Sequence, residues 1–157
     1  MMPMLLPFPP ALIAQEQPQR QAFRVLYDWG FASPSGEGKG TLAVLVDTST
    51  DKVVIELHAI GERLMLLEGN GESGYRLLIP RNAVDERATA LSDLPTPYLP
   101  TISSAADLAR LLLEGSGPGV KASQRDSKGP KRLRWDGKDD MGEQCTVWLK
   151  RTRFEAM

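Results

Sequence analysis

Two stretches, "LAVLV" at 42–46 and "LMLL" at 64–67, are apolar at every position. A half-solvated antiparallel strand alternates apolar and polar residues, so unbroken apolar runs require cover on both faces. The one convincing helix is "SSAADLARLLLEG". It has Ser103 or Ser104 as N-cap, Asp107 three residues after Ser104, Leu108, Leu111 and Leu112 at helical spacing, and Gly115 as its stop. A helix of that length covers part of one side of a sheet. Two solutions remain. Either the sheet curls into a barrel or half-barrel around an apolar interior, or one face is an interface with another chain.

The strands themselves read clearly. "FRVLYDW" sets Phe23, Val25, Tyr27 and Trp29 against Arg24, Leu26 and Asp28, a period of two. "TLAVLVD" puts Leu42, Val44 and Val46 on one side, and "VVIELHAI" does the same with Val53, Ile55, Leu57 and Ala59. "RLMLLE" and "YRLLIP" follow after short turns, giving five strands in an antiparallel meander. "RNAVDERATALSDLPTPYLPT" has three prolines in its last seven residues and predicts an irregular excursion across the surface or over a sheet face, a lid if the sheet curls into a half-barrel. Residues 115–129 are polar and glycine-rich and predict a loop, after which "KRLRWDG" and "QCTVWLKRTRFE" form a closing hairpin. About seven strands are expected. Residues 10–22 allow a short helix ended by Pro18.

With 157 residues, 41% hydrophobic and 25% charged, the chain can bury a core without metal or disulfide staples. It divides into an N-terminal arm, 1–20, and one domain, 21–157. The arm begins "MMPMLLPFPPALIA", whose four prolines and missing basic flank make a poor signal peptide and a poor membrane span. It reads as the start of a chain whose export signal has been removed, as an appended segment, or as a docking arm. Residues 121–157 hold ten Lys/Arg against six Asp/Glu, net +4, and residues 1–120 hold nine against fourteen, net −5. The charge of the whole chain does not indicate a nucleic-acid binder.

One cysteine, Cys145, and one histidine, His58, exclude an intramolecular disulfide, a cysteine cluster and a multi-histidine metal site. "GSGPGVKA" lacks the Gly-Lys-Ser/Thr ending of a phosphate loop and follows a helix instead of preceding one. "DGKDDMGE" lacks the spacing of a calcium loop and is expected to be a solvated turn. "WLKRTRF" interleaves aromatic and basic residues. It suits a strand with core on one side and solvent or anionic headgroups on the other better than a nucleic-acid grip.

The order of these parts resembles the LolB-like members of the LolA/LolB superfamily, periplasmic lipoprotein carriers and outer-membrane lipoprotein receptors. "AIGERL" is similar to the family's hairpin in which an apolar residue protrudes before a glycine, with Ile60 and Gly61 in those places. "LPTISSAADLARLLLEG" is similar to its proline-led segment and helix. The resemblance implies a mainly β fold, a curved antiparallel half-barrel closed by one or two helices and a loop lid. It implies an apolar cavity for lipoprotein acyl chains or lipid, with no cofactor, no metal and no covalent chemistry. The expected location is the periplasm or the periplasmic face of the outer membrane. Expected contacts are the inner leaflet of that membrane and a periplasmic carrier protein, with no nucleic acid.

The receptor class carries an N-terminal lipid on a cysteine, and this sequence has no cysteine near its start, as expected either of a processed start or of a soluble or diverged homologue. Candidate ligand contacts are Ile60, Gly61, Leu42, Val44, Val46, Val53, Ile55, Leu57, Leu66, Leu77, Leu108, Leu111 and Leu112, with Ile79 as a further core or cavity residue. The alternative reading is a cell-envelope protein that binds a partner protein through an apolar sheet face.

Overall fold

A computed structural model describes residues 21–59 and 61–157; the N-terminal arm, its expected helix and Ile60 lie outside the described residues. The strands are β1 (Ala22–Ser33), β2 (Gly36–Asp47), β3 (Lys52–Ala59), β4 (Glu62–Asn70), β5 (Gly74–Ile79) and β6 (Val84–Ala88), then β7 (Lys121–Asp126), β8 (Gly129–Lys138) and β9 (Gln144–Ala156). One helix, α1 (Ala105–Glu114), precedes β7. The sheet order is β6-β5-β4-β3-β2-β1-β9-β8-β7, antiparallel throughout, curved and unclosed. The expected half-barrel is therefore present.

The described residues form nine strands where about seven are expected. The two extra ones, "VDERA" and "KASQRD", are the sheet's edges. Edge strands carry charge that discourages pairing with other chains, and that charge hides the alternation by which strands are recognised. β6 thus lies in the expected excursion and β7 in the expected loop.

Cross-strand register builds the core in rows. Val25, Val44, Ile55, Leu67 and Leu77 lie opposite one another in succession across five strands, beside the row Tyr27, Leu42, Leu57 and Met65. All nine are buried. The β3–β4 register shifts between Leu57 and His58, which makes Leu64 an extra residue opposite that step. Such a bulge bends the strand and lets Leu64 and Met65 both enter the core. A second shift, between Leu26 and Tyr27, occurs where β1 meets β9.

Sheet and helix differ greatly in width. Eight spacings of ~4.8 Å make the sheet roughly 38 Å wide, whereas ten helical residues extend ~15 Å. α1 lies on the concave face with Ala105, Leu108, Ala109, Leu111 and Leu112 buried. Its ends are fixed by local chemistry. Ser104 accepts the Asp107 amide, Asp51 Oδ1 from the β2–β3 turn accepts the Ala105 amide at 2.6 Å, and Gly115 adopts a left-handed φ of 74° that closes the last turn. Arg125 Nη2 donates to the Glu114 carbonyl at 2.8 Å, setting a cation at the helix's negative end.

The lid covers the rest. Leu91, Leu94, Tyr98 and Ile102 from the segment before α1 are buried on the concave face. Tyr98 fastens them: its amide donates to the Lys138 carbonyl at 2.6 Å, and its carbonyl accepts from Trp135 Nε1 at 2.7 Å. Its ring meets Trp29 edge-on at 5.1 Å and Phe31 at 5.0 Å.

Leu108, 2% exposed beneath α1, is the direct test of that packing. Leu108→Ala is expected to lower unfolding free energy by ~2–5 kcal/mol in urea titration. A loss within about 0.5 kcal/mol would mean that the helix does not hold the concave face.

Candidate functional site

The sequence candidates Leu42, Val44, Val46, Val53, Ile55, Leu57, Leu77, Leu108 and Leu112 all come together on the concave face. There they form packed core, between 0 and 4% exposed. Ile79 and Leu111, each 5% exposed, sit at the margin of that core. Leu66 departs from the expected group: it pairs with Glu56 and Leu78 and so occupies the convex face. The run "LMLL" has no alternation to reveal this, and the adjacent bulge changes which side chains face inward. Gly61 is exposed with a φ of 75°, a left-handed turn conformation that glycine adopts without strain.

The open apolar space lies at the rim. A cleft of about 430 Å³ is bounded by the end of β5, the lid and the β8–β9 hairpin. Ile79, Val84, Leu94, Pro97, Leu99 and Ile102 supply its apolar wall, and Asp139, Asp140, Lys138 and Asn82 close its polar end. The lid residues escape sequence detection because their proline spacing marks a loop without saying which way a side chain points. Leu94 and Leu99 in a proline-rich loop are the one available signal, since apolar side chains there need a surface to cover.

The turn at the polar end is exposed at Asp136, Lys138, Met141 and Glu143, as the sequence suggests, but its two central aspartates are covered. Asp139 is 6% exposed, and its Oδ1 accepts the Met141 and Glu143 amides, both at 2.9 Å. The Asp140 side chain is equally covered, and its Oδ2 makes no hydrogen bond. Arg81 Nη1 stands 4.0 Å from that oxygen, while Arg81 Nη2 stands 3.7 Å from Glu62. Asn82 Nδ2 donates to the Asp140 carbonyl at 2.8 Å. Arg81 therefore ties the β3–β4 turn, which contains Gly61, to the rim of the cleft. Among the described residues, no group of three or more metal-ligating side chains is assembled.

Cys145 is buried, and burial pushes its thiol up from the ordinary value, as befits a small core residue. His58 lies on the convex face, 3.7 Å from Glu56, with 40% of its side chain exposed. Its register partners are Thr41 on β2 and Arg63 on β4.

No protein-family model and no curated protein matches the chain. Among solved structures, it is similar to the crystal structure of a LolA superfamily protein from Nitrosomonas europaea. That match has a TM-score of 0.51 and 12% identity, and covers 90% of this chain and 88% of the other. At that identity the likeness establishes the fold: an open antiparallel half-barrel whose concave face receives a helix.

All three tyrosines, Tyr27, Tyr75 and Tyr98, are held well above the ordinary phenol value of 10.0, in each case chiefly by burial. The Asp140 charge adds to the effect at Tyr98, and a hydrogen bond with Asp51 adds to it at Tyr75. A raised folded-state pKa contributes stability that is complete below the unfolded value and is lost as pH rises through the folded one. Ultraviolet titration should therefore show no tyrosinate while the protein stays folded past pH 10.0, with ionisation accompanying alkaline unfolding. Tyrosinate appearing near pH 10.0 in folded protein would contradict the packing of the lid and core.

Proposed function

We propose that this chain is a non-catalytic binder of lipoprotein acyl chains or lipid, acting in lipoprotein transfer or insertion at the periplasmic face of the outer membrane. The observation that carries the reading is the rim cleft. It combines an apolar wall from the lid and the end of β5 with a polar end at Asp140, the arrangement an amphiphile requires. Its volume falls within the ~300–1,000 Å³ of ordinary small-molecule sites. The likeness to a LolA superfamily structure supports the fold on which such binding would rest.

In this reading the chain enters at the cleft, past Leu99 and Ile102, because the deeper concave face is already filled by α1. Each methylene removed from water contributes about 0.8 kcal/mol, so transfer between a periplasmic carrier, this protein and the membrane follows relative affinity. Arg81 stands between Glu62 and the cleft, and Ile60, two residues before Glu62 in the sequence, is assigned to cargo or inner-leaflet contact.

Extraction and mass spectrometry of the purified protein should find a bound amphiphile, and a fluorescent fatty acid should compete with it. Leu99→Arg, which puts a charge into the apolar wall, should weaken fatty-acid binding by about tenfold or more. Ile60→Glu should abolish lipoprotein delivery with thermal stability nearly unchanged. No bound amphiphile together with native-like binding by the Leu99 variant would overturn the cleft assignment. A large stability loss without a specific transfer defect would overturn the role given to Ile60.

A further inference from the structure

The convex face of β7, β8 and β9 carries an unusual concentration of unpaired positive charge. Register puts Lys121, Arg134 and Trp148 in one cross-strand row and Ser123, Arg132 and Lys150 in the next. Lys121, Arg132, Arg134 and Lys150 are all exposed, and among the described residues none of the four is ion-paired. Arg132 and Lys150 lie directly opposite each other, an arrangement that costs stability in an isolated sheet. Asp28, across from Lys150, and Asp136, one row beyond Arg134, are the carboxylates nearest in register.

Trp148 lies amid these cations. Its indole rests on Gly30, where an added Cβ would fall 2.5 Å from the ring, and 38% of the residue remains exposed. Farther along the same convex face, apolar pairs alternate with Glu56, Glu68, Arg76 and Asp85 in the same rows. Leu26, Ala43, Leu45, Val54 and Leu78 are half-buried there, beside Leu66.

We infer that this convex face docks on an anionic phospholipid surface, with the β7–β9 cations against the headgroups and Trp148 at the headgroup boundary. Charge complementarity between the four exposed cations and anionic headgroups supplies the attraction, and an exposed indole among cations suits the headgroup boundary of a bilayer. A nucleic-acid track is disfavoured because Trp148 is the one exposed ring among the described residues, whereas strand binding uses successive stacked rings. β8 and β9 end in the hairpin that lines the cleft, so docking through them would bring the cleft to the membrane. The inference stands apart from the cleft reading, since it requires no bound cargo.

The test is flotation of the full chain with phosphatidylcholine vesicles, with and without added phosphatidylglycerol, at low and high salt. Binding is expected only with phosphatidylglycerol and is expected to fall as salt rises. Each cation near an anionic surface strengthens binding about fivefold. Arg132→Gln with Lys150→Gln should therefore weaken it by about twenty-fivefold while relieving the like-charge pair, so that thermal stability does not fall. Trp29 and Trp135 are 2% exposed, so a blue shift of tryptophan emission on binding reports Trp148. Equal binding to both vesicle types, or an unaffected double variant, would overturn the inference. So would tighter binding of a single-stranded oligonucleotide than of the anionic vesicles at the same salt.

Discussion

The apolar concave face of a nine-stranded sheet must be hidden from water, and the only α-helix among the described residues reaches less than half of its width. Curvature, the helix and the lid together meet that demand. Bulges at Leu57/His58 and Leu26/Tyr27 bend the strands locally. Asp51 pins one end of α1 and Arg125 the other. Tyr98, held at both its amide and its carbonyl by β8, carries the lid across the remainder.

This division of cover decides where a ligand can go. The centre of the concave face is packed, with Val46, Val53, Ile55 and Leu77 all at 0% exposure, so it offers no room without displacing α1. The margin, where the lid meets the end of β5 and the β8–β9 hairpin, packs less completely and leaves the cleft. Polar groups collect there because the hairpin must turn. Asp139 satisfies the turn's amides, and the neighbouring Asp140 keeps a buried oxygen without a hydrogen bond.

Much of this was readable in the sequence where a period exists to be read. Alternation marked the inward face of β1, β2 and β3 residue by residue, and the capping pattern placed α1 between Ser103 or Ser104 and Gly115, of which the structure uses Ser104. Where alternation is absent, the reading fails. Leu66 lies in an unbroken apolar run beside a bulge, and faces outward. The edge strands β6 and β7 hide behind their own charge. Alternation marks which residues turn inward but cannot separate a packed core from a cavity. The candidates therefore cluster in space as expected yet form core, and the cleft is built from lid residues with no periodic signature.

The central claim is that acyl chains occupy the rim cleft and leave α1 seated on the sheet. Methyl-resolved nuclear Overhauser contacts between a bound fatty acid and the protein measure this directly. The account predicts contacts from the acyl methylenes to the methyl groups of Ile79, Leu94, Leu99 and Ile102. Contacts instead to Leu42, Val44 and Ile55, with loss of those between Leu108 and the sheet, would contradict it.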